Sequence, residues 1–432
     1  MKILSIETSC DETAVAVLKV GYAKANFRFR ILSNVVSSQI KIHAAFGGIV
    51  PNLARREHQH NLIPVLIKAL KQSKLLKNSK LKAQSSPKES LWLSTGQAKP
   101  QLKVQNLKSK KLQAILERES ELLTQTLEFL EKYQKPDIDL IAVTQGPGLE
   151  PCLWVGINFA KALAYVWGIP LIGINHMEGH LFSVFLQKKQ KRKKSKSEIL
   201  NSKQTQNSKF KIPKIEFPAI ALLVSGGHTE LVLIGDWLKY KVIGETRDDA
   251  AGEAFDKAAR LLGLGYPGGP AIAAEAAKFP TSNFHLPRPM INSKDYDFSF
   301  SGLKTAVLYL IQNLKKNKQD IKNFIPEIAR EFQQAVIDVL IAKTIRAAKD
   351  YKAKTIILAG GVAANKELRK QMKKAVQKHF LTTDYRLPTT AFCGDNAAMI
   401  ALAAFFQTQK NPPRKNSWRI IKAQGNLTLS LK

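Results

Sequence analysis

The chain contains KILSIETSCDETAVAVL at residues 2–18 and, in its second half, AIALLVSGGHTELVLI at residues 219–234. Each stretch has an apolar run, a short turn of small and hydroxyl residues, and a second apolar run, which is the pattern of a β-hairpin. Two similar hairpins so far apart predict a duplicated α/β unit. Their turns are then expected to face each other across a cleft, where hydroxyl and N–H groups can hold a phosphate.

The rest of the chain alternates between strand and helix patterns, which is typical of α/β architecture. Glycine-rich loops are expected at 263–269 and 359–365. The predicted strands are 138–144, 169–174 and 355–358. The predicted helices are 61–70, 112–133, 155–167, 253–262 and 325–349.

Composition limits the classes of protein to consider. The chain has 432 residues, enough for two or three domains, and only three cysteines, which form no C-x-x-C pair. No apolar run approaches the roughly 18 residues of a membrane span, and the first residues lead directly into a strand. We therefore expect a reduced, cytoplasmic protein with no membrane association.

The formal net charge of +33 is concentrated in two segments. Residues 71–112 carry eleven lysines against one acid, and residues 187–214 carry eleven lysines or arginines against one acid. Both lack helical or strand periodicity, so we predict Lys-rich insertions at about 72–111 and 187–214. Such segments bind phosphate backbones without reading sequence, or serve only solubility; the composition leaves both open.

Two histidines lie four residues apart in NHMEGH, residues 175–180. On a helix, positions i and i+4 share a face, so His176 and His180 can bind one divalent metal. A lone pair at this spacing is more often two ordinary polar residues, but the distant turn CGDN at 393–396 adds the carboxylate of Asp395. Two histidines and one carboxylate leave coordination positions open for substrate and suit iron, zinc or manganese. A zincin protease needs H-E-x-x-H, whereas Glu178 lies two residues after His176.

Other candidate residues lie in the turns. Asp11 and Glu12 in the first turn can accept a proton, or can simply hydrogen-bond the turn itself. The SGG turn after residue 224 offers hydroxyls to phosphate or carbonyl oxygens, although alone it is more simply a plain hairpin turn. The glycine-rich loop at 359–365 can admit a nucleotide, although alone it is equally well a tight turn between a strand and a helix. Asp256, on a predicted helix, is by itself more often a surface charge.

Taken together, these motifs closely resemble the universal tRNA threonylcarbamoyladenosine transferase family in its bacterial form. The resemblance runs in order from end to end, interrupted only by the two insertions. The matching stretches are SIETSCDET (5–13), HAAFGGIVP (43–51), GPG (146–148), NHMEGH (175–180), LVSGGHTE (223–230), DDAAGEAFDK (248–257), YPGGP (266–270), GGVAAN (360–365) and GDNAAMI (394–400).

The resemblance implies an actin-like fold, shared with sugar kinases and heat-shock ATPases, made of two ribonuclease-H-like lobes. We place the lobes at 1–216 and 217–432, with the nucleotide cleft between them. The implied metal ligands are His176, His180 and Asp395. The implied contacts to an adenylate substrate are Leu223, Val224, Ser225, Gly226, Gly227, Asp256, Gly269 and Asn365.

The implied reaction transfers a threonylcarbamoyl group from threonylcarbamoyl-AMP to the N6 amine of adenosine 37, in tRNAs that read codons beginning with A. One divalent metal is expected, Fe²⁺ first and Zn²⁺ as the alternative, with Asp11 or Glu12 as the proton acceptor. The expected partners are the tRNA anticodon stem-loop, a catalytically silent paralogue and a small P-loop ATPase.

Three other functions share parts of the pattern. A metal-dependent peptidase, the older glycoprotease label of the family, shares the histidines but needs a base beside a metal-bound water. A sugar or acetate kinase shares the phosphate turns but has no use for the metal triad. A non-catalytic RNA-binding protein is consistent with the basic insertions alone.

Overall fold

The computed structural model describes residues 1–23, 26–79, 110–186, 210–211 and 215–429. Most of each predicted Lys-rich insertion therefore lies outside the described residues, namely 80–109 of the insertion at 72–111, and 187–209 and 212–214 of the insertion at 187–214.

The first predicted hairpin is confirmed. Its two antiparallel strands lie in the middle of a mixed sheet. A third strand continues the antiparallel meander, and two later strands join in parallel on the other side of the first. The sheet order is β5-β4-β1-β2-β3-β6. Its strands are β1 (Lys2–Glu7), β2 (Glu12–Ala23), β3 (Asn26–Ser38), β4 (Leu140–Gly146), β5 (Leu171–Asn175) and β6 (Phe210–Lys211).

The second predicted hairpin is confirmed in the same way. Three strands form an antiparallel meander, and two later strands join in parallel beside the first, giving the order β11-β10-β7-β8-β9. Apart from the short β6, the two sheets therefore have the same strand order and the same connections between strands. The strands are β7 (Ala219–Val224), β8 (Thr229–Asp236), β9 (Lys239–Glu245), β10 (Thr355–Ala359) and β11 (Asp384–Arg386).

Helices follow the strands on the faces of both sheets. They are α1 (Ile40–Ala44), α2 (Pro51–Gln72), α3 (110–115), α4 (Ser120–Lys132), α5 (Glu150–Trp167), α6 (His176–Ser183), α7 (Ala251–Leu261), α8 (Gly268–Ala276), α9 (Ser301–Lys316), α10 (Ile325–Asp350), α11 (Lys366–His379) and α12 (Ala397–Lys410).

Most predicted helices occur, with longer or shifted ends. α2 and α5 begin earlier than predicted because a proline occupies the first helical turn of each, where a missing N–H costs nothing. The helix predicted at 112–133 is broken between α3 and α4. The loop predicted at 263–269 ends early, since α8 already begins at Gly268.

Side chains alternate along the central strands between two buried faces. In β7, Ile220 and Leu222 pack under the helices of the second sheet, whereas Ala221 and Leu223 face inward towards the first sheet. α12 fills this inward layer and packs on β1 and β2, although it lies in the C-terminal half of the chain. The two sheets therefore share one core layer, and both the cleft and the division of the chain at 216/217 stay predictions.

None of the helices within the described ranges has the length and apolar character that crossing a membrane requires.

Candidate active site

Three of the predicted side chains meet in one cluster. Nε2 of His176 lies 3.3 Å from Oδ1 of Asp395, and Nε2 of His180 lies 3.2 Å from the same oxygen. One ligand atom from each residue lies within 4.8 Å of the other two. Both histidines are buried, while the Asp395 side chain is 19% exposed, so solvent reaches the cluster on the carboxylate side.

Local sequence explains how the cluster forms. The side chain of Asn175 caps α6 by accepting hydrogen bonds from the N–H groups of Met177 and Glu178, so the helix starts directly at the end of β5. Gly179 lets α6 approach α12, because a Cβ there would lie 2.8 Å from Cδ1 of Ile400. This close approach brings Asp395, just before α12, to the two histidines.

A second carboxylate holds the first histidine from behind. Oε2 of Glu7, at the end of β1, lies 3.0 Å from Nδ1 of His176, and Thr144 donates a hydrogen bond to the same Glu7 oxygen. Burial alone lowers the pKa of His176, but Asp395 and Glu7 together raise it well above its ordinary value. The pocket thus has a negative potential that favours a cation between these side chains.

The cluster fits a metal ion. Nε2 of the buried His180 lies 3.2 Å from Oδ1 of Asp395 but makes no well-aligned hydrogen bond to it or to any other described residue, which is costly unless another group satisfies the nitrogen. Ligand bonds of about 2.1 Å at tetrahedral or octahedral angles place neighbouring donor atoms roughly 3.0–3.4 Å apart. The two distances to Asp395 lie in that range.

Glu178 lies on the same helix but takes no part in the cluster. Its carboxylate accepts hydrogen bonds from Oη of Tyr240 at 3.0 Å and from Nε2 of Gln407 at 2.9 and 3.0 Å. Burial raises the pKa of Glu178 to about 7. The carboxylate is therefore fully engaged by core partners.

The structure places Asp11 in the turn from β1 to β2 and Glu12 at the first position of β2. Glu12 accepts a hydrogen bond from Oγ of Ser38 at 3.2 Å. Burial, then the neighbouring carboxylates of Asp11 and Asp395, raise the pKa of Glu12 well above its usual value. These surroundings therefore favour the protonated form of Glu12.

The SGG turn of the second hairpin lies against the end of β10. Leu223 and Val224 are buried strand residues, whereas Gly226 and Gly227 are exposed, with open space beside them. Gly360 has φ +94°, and a Cβ there would lie 2.3 Å from the carbonyl oxygen of Val224. Only glycine allows these two turns to lie so close.

Ser225 closes its own turn rather than pointing into open space. Its N–H donates to the carbonyl of His228, and its Oγ accepts from the His228 N–H at 3.1 Å.

Two of the remaining residues predicted to contact the adenylate, Asp256 and Asn365, already make hydrogen bonds within the protein. Oδ1 of Asp256 accepts a hydrogen bond from the Gly268 N–H at 2.7 Å, while Gly269 has open space beside it. Asn365 caps α11 with its Oδ1 and donates from Nδ2 to Gln333 at 2.8 Å. Asp256 is thus not a plain surface charge, and Asn365 has one amide hydrogen left for a ligand.

Sequence reasoning missed Glu7 and Gly179 as parts of the site, and although it singled out the loop that contains Gly360, it missed the approach of this glycine to Val224. Glu7 carries a signal that could have indicated it, because a carboxylate that ends an otherwise apolar central strand needs a buried partner. The two glycines act only through their neighbours in space, so no local pattern distinguishes them from ordinary turn or helix residues.

The chain is similar to proteins of known family. Residues 30–82, 115–194 and 203–402 match the family model of tRNA N6-adenosine threonylcarbamoyltransferase (TsaD). A relative of that name from Thermosipho africanus is 41% identical over 405 residues, covering 94% of this chain and 94% of the relative. One from Thermosipho melanesiensis is 42% identical over 405 residues with the same coverage of both chains. One from Listeria monocytogenes serotype 4b is 38% identical over 401 residues, covering 93% and 90%.

Among solved structures, full-length HypF in its phosphate- and nucleotide-bound form aligns with a TM-score of 0.44 at 12% identity, over 68% of this chain and 43% of that chain. A likeness of this size carries no argument. The family model and the relatives, by contrast, match nearly the whole length that carries the cluster and the turns. The chain belongs to the tRNA N6-adenosine threonylcarbamoyltransferase family.

Proposed function

We propose that this chain is the enzyme that transfers a threonylcarbamoyl group from threonylcarbamoyl-AMP to the N6 amine of adenosine in tRNA. Family membership over nearly the whole chain is the observation that carries the proposal. The acceptor is adenosine 37 of tRNAs that read codons beginning with A, as the resemblance of the motifs implies.

We propose that His176, His180 and Asp395 hold one divalent metal, Fe²⁺ first and Zn²⁺ as the alternative. The support is the chemistry of the donor set and the absence of a well-aligned hydrogen bond at Nε2 of His180 among the described residues. When bound, the cation supplies Lewis acidity towards substrate oxygens. Glu7 fixes the ring of His176, as the outer partners of metal-binding histidines do.

The protein's own groups perform the remaining tasks. The adenine amine is a weak nucleophile because its lone pair is delocalised, so orientation and removal of its proton must assist the attack. Asp11 is the proposed proton acceptor, because burial and the neighbouring carboxylates favour the protonated form of Glu12, which cannot take up the amine proton. The backbone of Ser225, Gly226 and Gly227, with Asp256, Gly269 and Asn365, holds the adenylate.

We further propose that the two lobes are ribonuclease-H-like and that together they form an actin-like fold. The shared strand order of the two sheets supports this assignment. The lobes are placed at 1–216 and 217–432. One helix of the second range, α12, packs on the sheet of the first lobe.

The proposed partners are the anticodon stem-loop of tRNA, a catalytically silent paralogue and a small P-loop ATPase, in the cytoplasm. They follow from the resemblance of the motifs. The excess of positive charge in the chain is compatible with binding a polyanion.

The peptidase alternative is not favoured. A peptidase needs a carboxylate beside the metal-bound water, but the Glu178 carboxylate is bound by Tyr240 and Gln407 in the core. Neither a sugar or acetate kinase nor a non-catalytic RNA-binding protein would require the cluster of His176, His180 and Asp395.

The test is nucleoside analysis of unmodified tRNA after incubation with threonylcarbamoyl-AMP and the purified protein, with and without the partner subunits. We expect threonylcarbamoyladenosine with the wild type, and at least about 100-fold less with His176→Ala or His180→Ala. Glu178→Gln, on the same helix, is the matched control and should retain transfer. Absence of the product even with all subunits, or metal-dependent cleavage of peptides at enzymatic rates, would overturn the proposal.

A further inference from the structure

A buried polar network lies beside the Asp11 turn and takes no part in the mechanism described above. His43 and His58 are completely buried, and Gln39 is 2% exposed. These residues come from the start of α1, from α1 itself and from the middle of α2. Burying three polar side chains together is unfavourable unless each is hydrogen-bonded.

Each of these side chains is hydrogen-bonded, and the bonds form a chain that runs from His43 through Gln39 to His58. The Val50 N–H donates to Nδ1 of His43 at 3.4 Å, which leaves Nε2 of His43 to donate to Oε1 of Gln39 at 3.0 Å. Nε2 of Gln39 then points to the carbonyl of Ala54 at 3.3 Å and to Nδ1 of His58 at 3.4 Å.

The network ends on the turn that carries the two acids. Nε2 of His58 donates to the carbonyl oxygen of Cys10 at 3.0 Å, and the Gln39 N–H donates to the carbonyl oxygen of Asp11 at 2.9 Å. Oγ1 of Thr13 lies 2.8 Å from Nδ1 of His58. Two successive carbonyls of the turn, and the first residues of β2, are therefore held by Gln39 and His58.

His58 has one protonation state over the ordinary pH range. Burial lowers its pKa to about 4, so the ring is neutral at neutral pH. Because Cys10 offers only a carbonyl, the proton of the neutral ring must be on Nε2. The donor to Cys10 is thus always present.

The outer end of the network reaches the second lobe. The Gly48 N–H donates to the carbonyl of His43, and the carbonyl of the adjacent Gly47 accepts a hydrogen bond from the Arg260 guanidinium on α7. Arg260 lies one helical turn after Asp256. The network thus lies between the acid turn and a helix that borders the proposed adenylate site.

We propose that Gln39, His43 and His58 are positioning residues of the transfer reaction, which hold the Cys10–Glu12 turn where the Asp11 carboxylate can reach the acceptor amine. This inference rests on the proposed function. None of the three side chains touches substrate, so their effect is on the placement of Asp11, where an error of about 1 Å can lower the rate by about 100-fold.

The test compares His58→Leu with His58→Gln. The leucine removes the donor to Cys10, whereas the glutamine amide can replace it. Thr126→Val is the matched control. It removes a different buried hydrogen bond of the first lobe, from the hydroxyl of Thr126 to the carbonyl of Leu122, and this bond lies far along the chain from the turn. Each variant is examined by urea unfolding, by metal content, and by kcat and KM for tRNA and for threonylcarbamoyl-AMP.

We expect His58→Leu to lower kcat by about 10–100-fold with both KM values and the metal content unchanged. His58→Gln should stay within about threefold of the wild type, and Thr126→Val should lose stability but keep its kcat. A folded His58→Leu with the kcat of Thr126→Val would overturn the inference.

If His58→Leu does not fold, Gln39→Met decides the question, since it separates His43 from His58 with little change of volume. It should lower kcat by about 3–10-fold, and an unchanged kcat would contradict the proposal. Failure of the wild type to modify tRNA is a different result, because it would refute the proposed function rather than the role of the network.

Discussion

Oε2 of Glu7 lies 3.0 Å from Nδ1 of His176, so a carboxylate at the end of the first strand fixes the ring whose other nitrogen faces Asp395. The two residues are 169 positions apart in the chain. Their contact joins β1 of the first hairpin to α6. The position of β1 in the sheet therefore determines the orientation of the His176 ring.

Glu7→Gln should weaken binding of a divalent cation, because a neutral amide holds His176 less firmly and adds no negative charge to the pocket. We expect affinity to fall by about 10–100-fold. Titration of the metal-free protein with Zn²⁺, followed by calorimetry, measures this directly. Glu178→Gln is the control, since that carboxylate is also buried on the same lobe but binds Tyr240 and Gln407. Equal affinities in the two variants would contradict the role of Glu7.

Stability should fall in mild acid because of His58. Its pKa is about 4 in the folded protein and about 6.5 when exposed, so between these values the unfolded chain binds a proton that the folded protein refuses. Its neutral ring therefore contributes stability that is fully present above pH 6.5 and is lost as the pH falls to 4, by up to about 3 kcal/mol.

The measurement is urea unfolding of the wild type and His58→Gln between about pH 7 and pH 4. We expect the variant to lose less stability over this range, whereas His285→Gln, at an exposed histidine, should follow the wild type. Parallel curves for His58→Gln and the wild type would show that His58 does not titrate as described.

Gly360→Ala should be strongly destabilising. Alanine at φ +94° is strained, and its Cβ would lie 2.3 Å from the carbonyl oxygen of Val224, so the two turns must separate. We expect a loss of at least about 2 kcal/mol in the free energy of unfolding and weaker binding of an adenylate. Gly361→Ala is the matched control, since nothing lies within 4 Å of its Cβ position. Similar losses in the two variants would count against a close approach of the turns.

The exposed face of α11 should bind tRNA phosphates. The helix is capped by Asn365, beside the glycine turn of β10, and its exposed lysines are Lys366, Lys370, Lys373, Lys374 and Lys378. Replacing Lys366, Lys373 and Lys374 by Gln should raise the KM for tRNA. It should also reduce the slope of log affinity against log salt by about 0.7–0.9 for each phosphate that the variant no longer neutralises.

The matched control for the α11 variant replaces Lys315, Lys316 and Lys322 by Gln. These three lysines are also exposed and lie at and beyond the end of α9. If both triple variants weaken tRNA binding equally, the α11 face has no special role.

The amino-acid sequence alone determined the two hairpins and the spacing of the histidines. Strand alternation and the i, i+4 relation of His176 and His180 are set by backbone geometry over a few residues, so they can be recognised locally. The acidic turn at 393–396 offered Asp395 as a third ligand, and the structure brings this residue to both histidines.

Only the tertiary structure decided which partners complete the site. The contact of Glu7 with His176, the approach of Gly360 to Val224 and the network from His43 to Cys10 join residues whose separation in the chain carries no periodic signal. They arise when the buried faces of two sheets, α6 and α12 pack together, because burial of apolar surface is non-directional and the polar groups must then find partners wherever the packing leaves them.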